Sequence, residues 1–114
     1  FQHFFQYVYV APHQRYQFLA YLRSEEIPDG NGIQFDIFDP RHPEELQVLT
    51  PALTDNNDWT PVQVDFESGA DTQMLEILLR CAPGPAFTNQ LRGIVWVDDV
   101  SLVPVAHRRM SATR

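Results

Sequence analysis

The sequence predicts an all-β domain built as an antiparallel two-sheet β-sandwich. Three observations predict it: large apolar residues alternate with other residues along several short runs, turn-forming residues separate those runs, and βαβ alternation is missing. The chain of 114 residues has room for one such domain and its core, but not for two. We therefore expect six or seven strands in a single sandwich.

The first half of the chain predicts three strands. A β-rich run from Phe1 to Val10 ends at Ala11-Pro12-His13-Gln14, and the next strand runs from Arg15 to Ser24. A turn is expected over residues 27–32, where two glycines and an asparagine tolerate positive φ, and Ile33 to Phe38 follows as the third strand. The residues expected to face the core in the second strand are Tyr16, Phe18, Ala20 and Leu22.

The second half predicts one short strand and three longer ones. Gln47 to Thr50 is a short strand, and residues 51–57 are rich in breakers that suit a connection. Trp59 to Phe66 alternates again, with Val62, Val64 and Phe66 on one face. Met74 to Cys81 could form a helix by composition, but its length and its turn-forming flanks favour a strand. A loop over 82–92 leads to the last strand, Gly93 to Pro104.

Charge and cysteine content exclude several classes of function. The chain has 15 acidic residues against 8 basic ones, and its net charge of −7 repels phosphate backbones, so we expect no nucleic-acid partner. No apolar run approaches the roughly 18 residues that cross a bilayer, so we expect no membrane insertion. The one cysteine, Cys81, cannot form an internal disulfide and is expected to be a buried, inert thiol.

Four stretches of sequence carry a resemblance to a known family. They are Pro12, the arginine-ended strand Tyr16 to Arg23, the Trp-led strand from Trp59 to Phe66, and Trp96 to Val103 of the last strand, with its paired aspartates. In this order and spacing they resemble the jelly-roll carbohydrate-binding modules of families 4, 9 and 22, within the galactose-binding-like group. The resemblance implies a jelly roll over residues 1–105 and a polar tail or linker over 106–114.

The same resemblance implies a function and a location. It implies a non-catalytic carbohydrate-binding-like accessory module of a larger bacterial protein, in the cell envelope or outside the cytoplasm. Members of the family usually begin with one or two further strands, which have no counterpart here. The resemblance therefore leads us to expect an exposed sheet edge that pairs with a second copy or with an upstream segment.

The paired aspartates of the last strand raise the question of a metal. In the resembling modules a structural calcium ion is held by the N-terminal segment together with an aspartate that maps to Asp98 or Asp99, and carboxylate oxygens suit that ion. Two carboxylates do not complete such a shell. The alternative is that one aspartate accepts a hydrogen bond from loop backbone while the other faces water.

Catalytic constellations are not apparent in the sequence. The four histidines, at positions 3, 13, 42 and 107, lie far apart and show neither metal-helix spacing nor the order of a nucleophilic triad. The carboxylates are plentiful, but nothing selects a pair that would face each other across a cleft. We expect a protein that is not an enzyme and that needs no cofactor.

A binding face requires exposed rings and planar polar groups on a rigid sheet. The alternation puts such side chains on the outward face of consecutive strands, and Tyr7 and Tyr9 join them if Val8 and Val10 face inward. Trp59 and Trp96 are interpreted as core or rim anchors. The predicted ligand-binding residues are Tyr21, Arg23, Gln34, Asp36, Phe38, Tyr7 and Tyr9. A sandwich that docks a protein partner and binds no sugar is the alternative.

Overall fold

The computed structural model of the chain describes residues 5–27, 32–81 and 94–106. The described residues form seven strands and no helix, so the part of the chain in view has no helix that could cross a membrane. The strands are β1 (Phe5–Tyr9), β2 (Arg15–Ile27), β3 (Ile33–Phe38), β4 (Gln47–Leu49), β5 (Asp55–Glu67), β6 (Met74–Cys81) and β7 (Ile94–Val105). The predicted all-β class is confirmed.

Two antiparallel sheets make up the sandwich. The four-stranded sheet has the order β1-β6-β3-β4, and the three-stranded sheet has the order β5-β2-β7. Every connection except the one from β3 to β4 joins a strand of one sheet to a strand of the other, as in a jelly roll. Strands that follow one another along the chain are therefore seldom neighbours in a sheet.

The core lies between the two sheets and is built by alternation along the strands. On β2 the side chains of Phe18, Ala20 and Leu22 are at most 1% exposed, as the sequence predicts. Phe18 meets Phe35 of β3 across the interior, with ring centroids 5.0 Å apart and an interplanar angle of 62°. This edge-to-face contact joins the two sheets at their middle.

Several predicted boundaries shift in the structure. The prediction for Ile33 to Phe38 and for Met74 to Cys81 is confirmed, but β2 continues past Ser24 to Ile27. Treating residues 51–57 wholly as a connection is wrong, because β5 begins at Asp55 and pairs with the extended end of β2. Glu26 (φ 60°) and Asp55 (φ 70°) take left-handed conformations where this pairing changes register. Such irregularities are invisible to a period-2 pattern.

Some predictions concern residues outside the described ranges. They are the turn over 28–31, the loop over 82–92, the polar tail beyond residue 106, and the two histidines at positions 3 and 107. The side chain of Cys81 is likewise outside the description, although its backbone ends β6. The expected turn, loop, tail and buried thiol remain predictions.

Candidate functional site

The candidate site is the outer face of the four-stranded sheet, on the side away from the core. Val8 and Val10 pack against the core. Because successive residues of a strand point to opposite sides, Tyr7 and Tyr9 lie on this outer face, as predicted for inward-facing valines. The pairing register brings Tyr7, Glu76, Phe38 and Gln47 into one row across the four strands. The outer face consists of Phe5, Tyr7 and Tyr9 of β1, Met74, Glu76, Leu78 and Arg80 of β6, Gln34, Asp36 and Phe38 of β3, and Gln47 and Leu49 of β4.

A polar network crosses this outer face diagonally. Arg80 Nη1 donates to Asp36 Oδ2 over 3.0 Å, and Gln47 Nε2 lies 3.2 Å from both carboxylate oxygens of Asp36. The Asp36 side chain is 3% exposed, whereas that of Arg80 is 42% exposed. Asp36 therefore serves to orient the guanidinium and the amide, which are the groups that reach solvent.

Gln34 is tied to the sheet in a different way. Its Nε2 donates to the carbonyl oxygen of Thr50 over 3.0 Å, and the Thr50 hydroxyl accepts from the backbone N–H of Phe35 over 2.9 Å. Thr50 is itself buried. These bonds attach the chain after β4 to β3 and fix the position of Gln34 beside Arg80, its partner in the register.

Exposed rings border the polar network on the side of β1. Phe5 and Tyr7 are 55% and 53% exposed and touch edge to face, with ring centroids 5.7 Å apart. Tyr9, at the other end of the strand, is 86% exposed. Phe38 of β3 is partly exposed and stands two strands away from Tyr7 in the same row. Rings thus lie on both sides of Glu76.

The predicted set of ligand-binding residues divides between two faces. Gln34, Asp36, Phe38, Tyr7 and Tyr9 share the outer face of the four-stranded sheet. The expectation that Tyr21 and Arg23 lie beside them is wrong, because β2 is the central strand of the other sheet. The reason is that β2 and β3 are consecutive in sequence but belong to different layers of the sandwich.

Arg23 has its own surroundings on the outside of the three-stranded sheet. Its guanidinium carbon lies 4.7 Å from the ring centroid of Trp96, its partner in the register, and Nη2 lies 3.6 Å from a Glu25 carboxylate oxygen. Trp96 is partly exposed and Trp59 is 43% exposed, so neither tryptophan is a core residue. Of the two interpretations given to these rings, core or rim anchor, the exposure excludes the first, and the second stays a prediction.

An open polar cleft of about 510 Å³ lies beside Arg23, where β2 and β5 change register. Its side chains are used largely to hold the strands together: Asn56 Oδ1 accepts from the N–H of Glu26 over 2.8 Å, and Asn57 Nδ2 donates to Ser24 Oγ over 3.0 Å. Asp58 Oδ1 accepts from the N–H of Trp59 over 2.8 Å. The polar side chains of the cleft therefore serve mainly to pair β2 with β5.

The paired aspartates of β7 lie in a β-bulge. Asp99 takes a positive φ of 51°, and Asp98 Oδ1 accepts a hydrogen bond from the backbone N–H of Asp99 over 2.8 Å. Both residues are exposed. Within residues 5–27, 32–81 and 94–106, no group of three or more His, Cys, Asp or Glu side chains could hold a metal ion. Calcium binding through Asp98 or Asp99 stays a prediction.

The two hydrogen-bond partners of Asp36 on the outer face, Arg80 and Gln47, were not among the predicted ligand-binding residues. Their alternation along β6 and β4 places them opposite the core-facing side chains, so their outward direction could have been predicted. Their contact with Asp36 could not, because it depends on β6 and β4 lying on the two sides of β3.

No protein-family model matches this chain, and no curated protein matches it in sequence. Fold and site therefore define its class: an antiparallel β-sandwich that carries a hydrogen-bonded polar network and exposed rings on one sheet face.

Proposed function

We propose that this domain is a non-catalytic carbohydrate-binding-like module and that the outer face of the four-stranded sheet is its binding surface. The observation that carries the proposal is the Asp36, Arg80 and Gln47 network, which holds two planar polar groups on the same sheet face as the rings of Phe38 and Tyr7. Aromatic rings stack on the apolar faces of sugars, and planar polar side chains bond to hydroxyl groups.

Charge narrows the class of glycan. The net charge of −7 disfavours polyanionic chains, and the guanidinium of Arg80 is already paired with a carboxylate. Glu76 adds a second carboxylate between the two rings. These features support a neutral or amine-bearing glycan over a sulfated or phosphorylated one.

The test is a glycan array probed with the chain and with three variants. Phe38→Ala removes a ring and Arg80→Gln removes the guanidinium, and we expect each change to weaken binding about tenfold, the loss that corresponds to one stacking or charge-assisted contact. Tyr21→Ala is the matched control, because it removes a ring from the opposite sheet and should leave binding unchanged. Binding that depends on Tyr21 and not on Phe38 would contradict the proposed surface.

Repeating the array in EDTA tests the calcium prediction separately. Loss of binding that added Ca²⁺ restores, and that Asp99→Asn reproduces, would support a structural calcium at the paired aspartates. Unchanged binding in EDTA would argue against it.

A structural or protein-interaction sandwich is the second candidate, and the exposed rings favour it. The outer face exposes apolar surface to solvent at Phe5, Tyr7, Tyr9 and Leu49. A well-folded chain that binds no glycan would favour this candidate.

By resemblance alone, we infer a cell-envelope or extracytoplasmic location in a bacterium, which fractionation of the source cells would test.

A further inference from the structure

The edge of the four-stranded sheet at β1 has hydrogen-bonding groups that point away from the sheet. The N–H of Val10 donates to the carbonyl of Gln73 over 3.0 Å, and these two residues continue the β1–β6 register. Bonding alternates in an antiparallel pair, so even-numbered residues of β1 bond to β6. The N–H and C=O groups of Phe5, Tyr7 and Tyr9 therefore point outward, and no described strand lies beyond them.

The other edge strands of the described sandwich carry protection that β1 lacks. β4 has only three residues, and β5 carries four aspartates or glutamates and Pro61 along its length. β7 contains the bulge at Asp99 and also Pro104. Charges, prolines, bulges and short length are the devices that prevent edge pairing. The sequence of β1, Phe-Gln-Tyr-Val-Tyr, has no charge and no proline.

β1 is also self-complementary. A two-fold axis through Tyr7 would set Phe5 of one copy opposite Tyr9 of the other, and Tyr7 opposite Tyr7. All three residues present outward backbone groups, so each facing pair could exchange two hydrogen bonds. Their side chains lie on the same outer face, so the pairing would also create ring-to-ring contacts between the two copies.

We propose that β1 pairs antiparallel with β1 of a second copy of this chain, about Tyr7. The pairing joins two four-stranded sheets into one continuous eight-stranded sheet whose two outer faces lie side by side. Because each copy carries a charge of −7, an uncharged strand is where two copies approach with the least repulsion. This inference does not depend on glycan binding.

The test is sedimentation equilibrium of the chain over a wide range of concentration, with two variants of Tyr7 and one control. Tyr7→Pro deletes an outward N–H and leaves the β1–β6 bonds in place, so it should abolish the dimer. Tyr7→Lys keeps the N–H but sets two like charges opposite each other, and it should weaken the dimer at least about tenfold. Gln63→Lys, on the exposed side of edge strand β5, should leave the dimer unchanged.

Salt and amide exchange supply two further readouts. Added salt should tighten the dimer, since it screens the repulsion between the copies. The Tyr7 amide should become protected from hydrogen exchange as concentration rises. A chain that is monomeric throughout, a Tyr7→Lys dimer as tight as the wild type, or a Tyr7 amide protected in the monomer would each overturn the proposal. The last result would show that another segment covers the edge.

Discussion

Asp36 and Arg80 are joined by a hydrogen bond of 3.0 Å that links an acidic side chain 3% exposed to a basic side chain 42% exposed. The carboxylate faces outward from its strand and is nevertheless covered, because large side chains surround it on both neighbouring strands. In the same row of the register stand Leu78 and Leu49. Asp36 therefore acts as a positioning residue, and any ligand would meet Arg80 and Gln47 first.

Asp36→Asn is expected to lower the free energy of unfolding by about 1 kcal/mol, since it replaces a charge-assisted bond with a neutral one and solvent at Arg80 screens the difference. Urea unfolding at constant m value measures the change. Asp65→Asn is the control, because Asp65 is exposed on the other sheet and its change should stay within about 0.5 kcal/mol. Equal effects of the two substitutions would contradict the positioning role.

Phe18→Ala should cost about 3 to 5 kcal/mol, because it empties the space of a fully buried ring and removes the contact that joins the two sheets. Thermal or urea unfolding detects a loss of this size directly. Gln63→Ala is the control, because it truncates an exposed side chain of β5 and shows how much stability an alanine substitution outside the core costs. A loss below about 1 kcal/mol would mean that the interior relaxes around the missing ring.

Ser68→Ala is expected to destabilise the domain by about 1 to 3 kcal/mol. The Ser68 hydroxyl donates to the carbonyl of Ala11 over 2.6 Å and accepts from the N–H of Gln14 over 2.9 Å, so it ties the turn between β1 and β2 to the turn after β5. Ser68 is 2% exposed, and without its hydroxyl both backbone groups lose a partner. Ser101→Ala, at an exposed serine of β7, is the matched control and should be nearly neutral.

Asp99→Val should destabilise the domain by about 1 to 2 kcal/mol, because a β-branched side chain is strained at the positive φ of the bulge. Asp99→Gly should be tolerated, since glycine adopts this conformation freely. Ser101→Val, at an exposed position of the same strand outside the left-handed region, is the control and should change stability little. If both valine variants unfold at the same urea concentration as the wild type, the bulge geometry is not a determinant of stability.

The strands and their buried faces could be predicted from particular residues. On β2 the structure buries the four residues that the alternation assigns to the core, Tyr16, Phe18, Ala20 and Leu22. The residues between them are partly exposed. The direction of a side chain from a strand follows from its position alone, since successive residues point to opposite sides. That is why all seven proposed ligand-binding residues point away from the core, as predicted.

The neighbours of each strand were decided only by the tertiary structure. Tyr21 and Arg23 point outward as predicted but from the other sheet, and Arg80 reaches Asp36 only because β6 lies beside β3. The period of two residues is a local property of the backbone, whereas strand order depends on contacts between residues far apart in sequence. The sequence by itself determined the class of fold and the buried side of the strands. The packing of the two sheets determined which outward side chains meet, because that packing buries the apolar faces of strands that are distant along the chain.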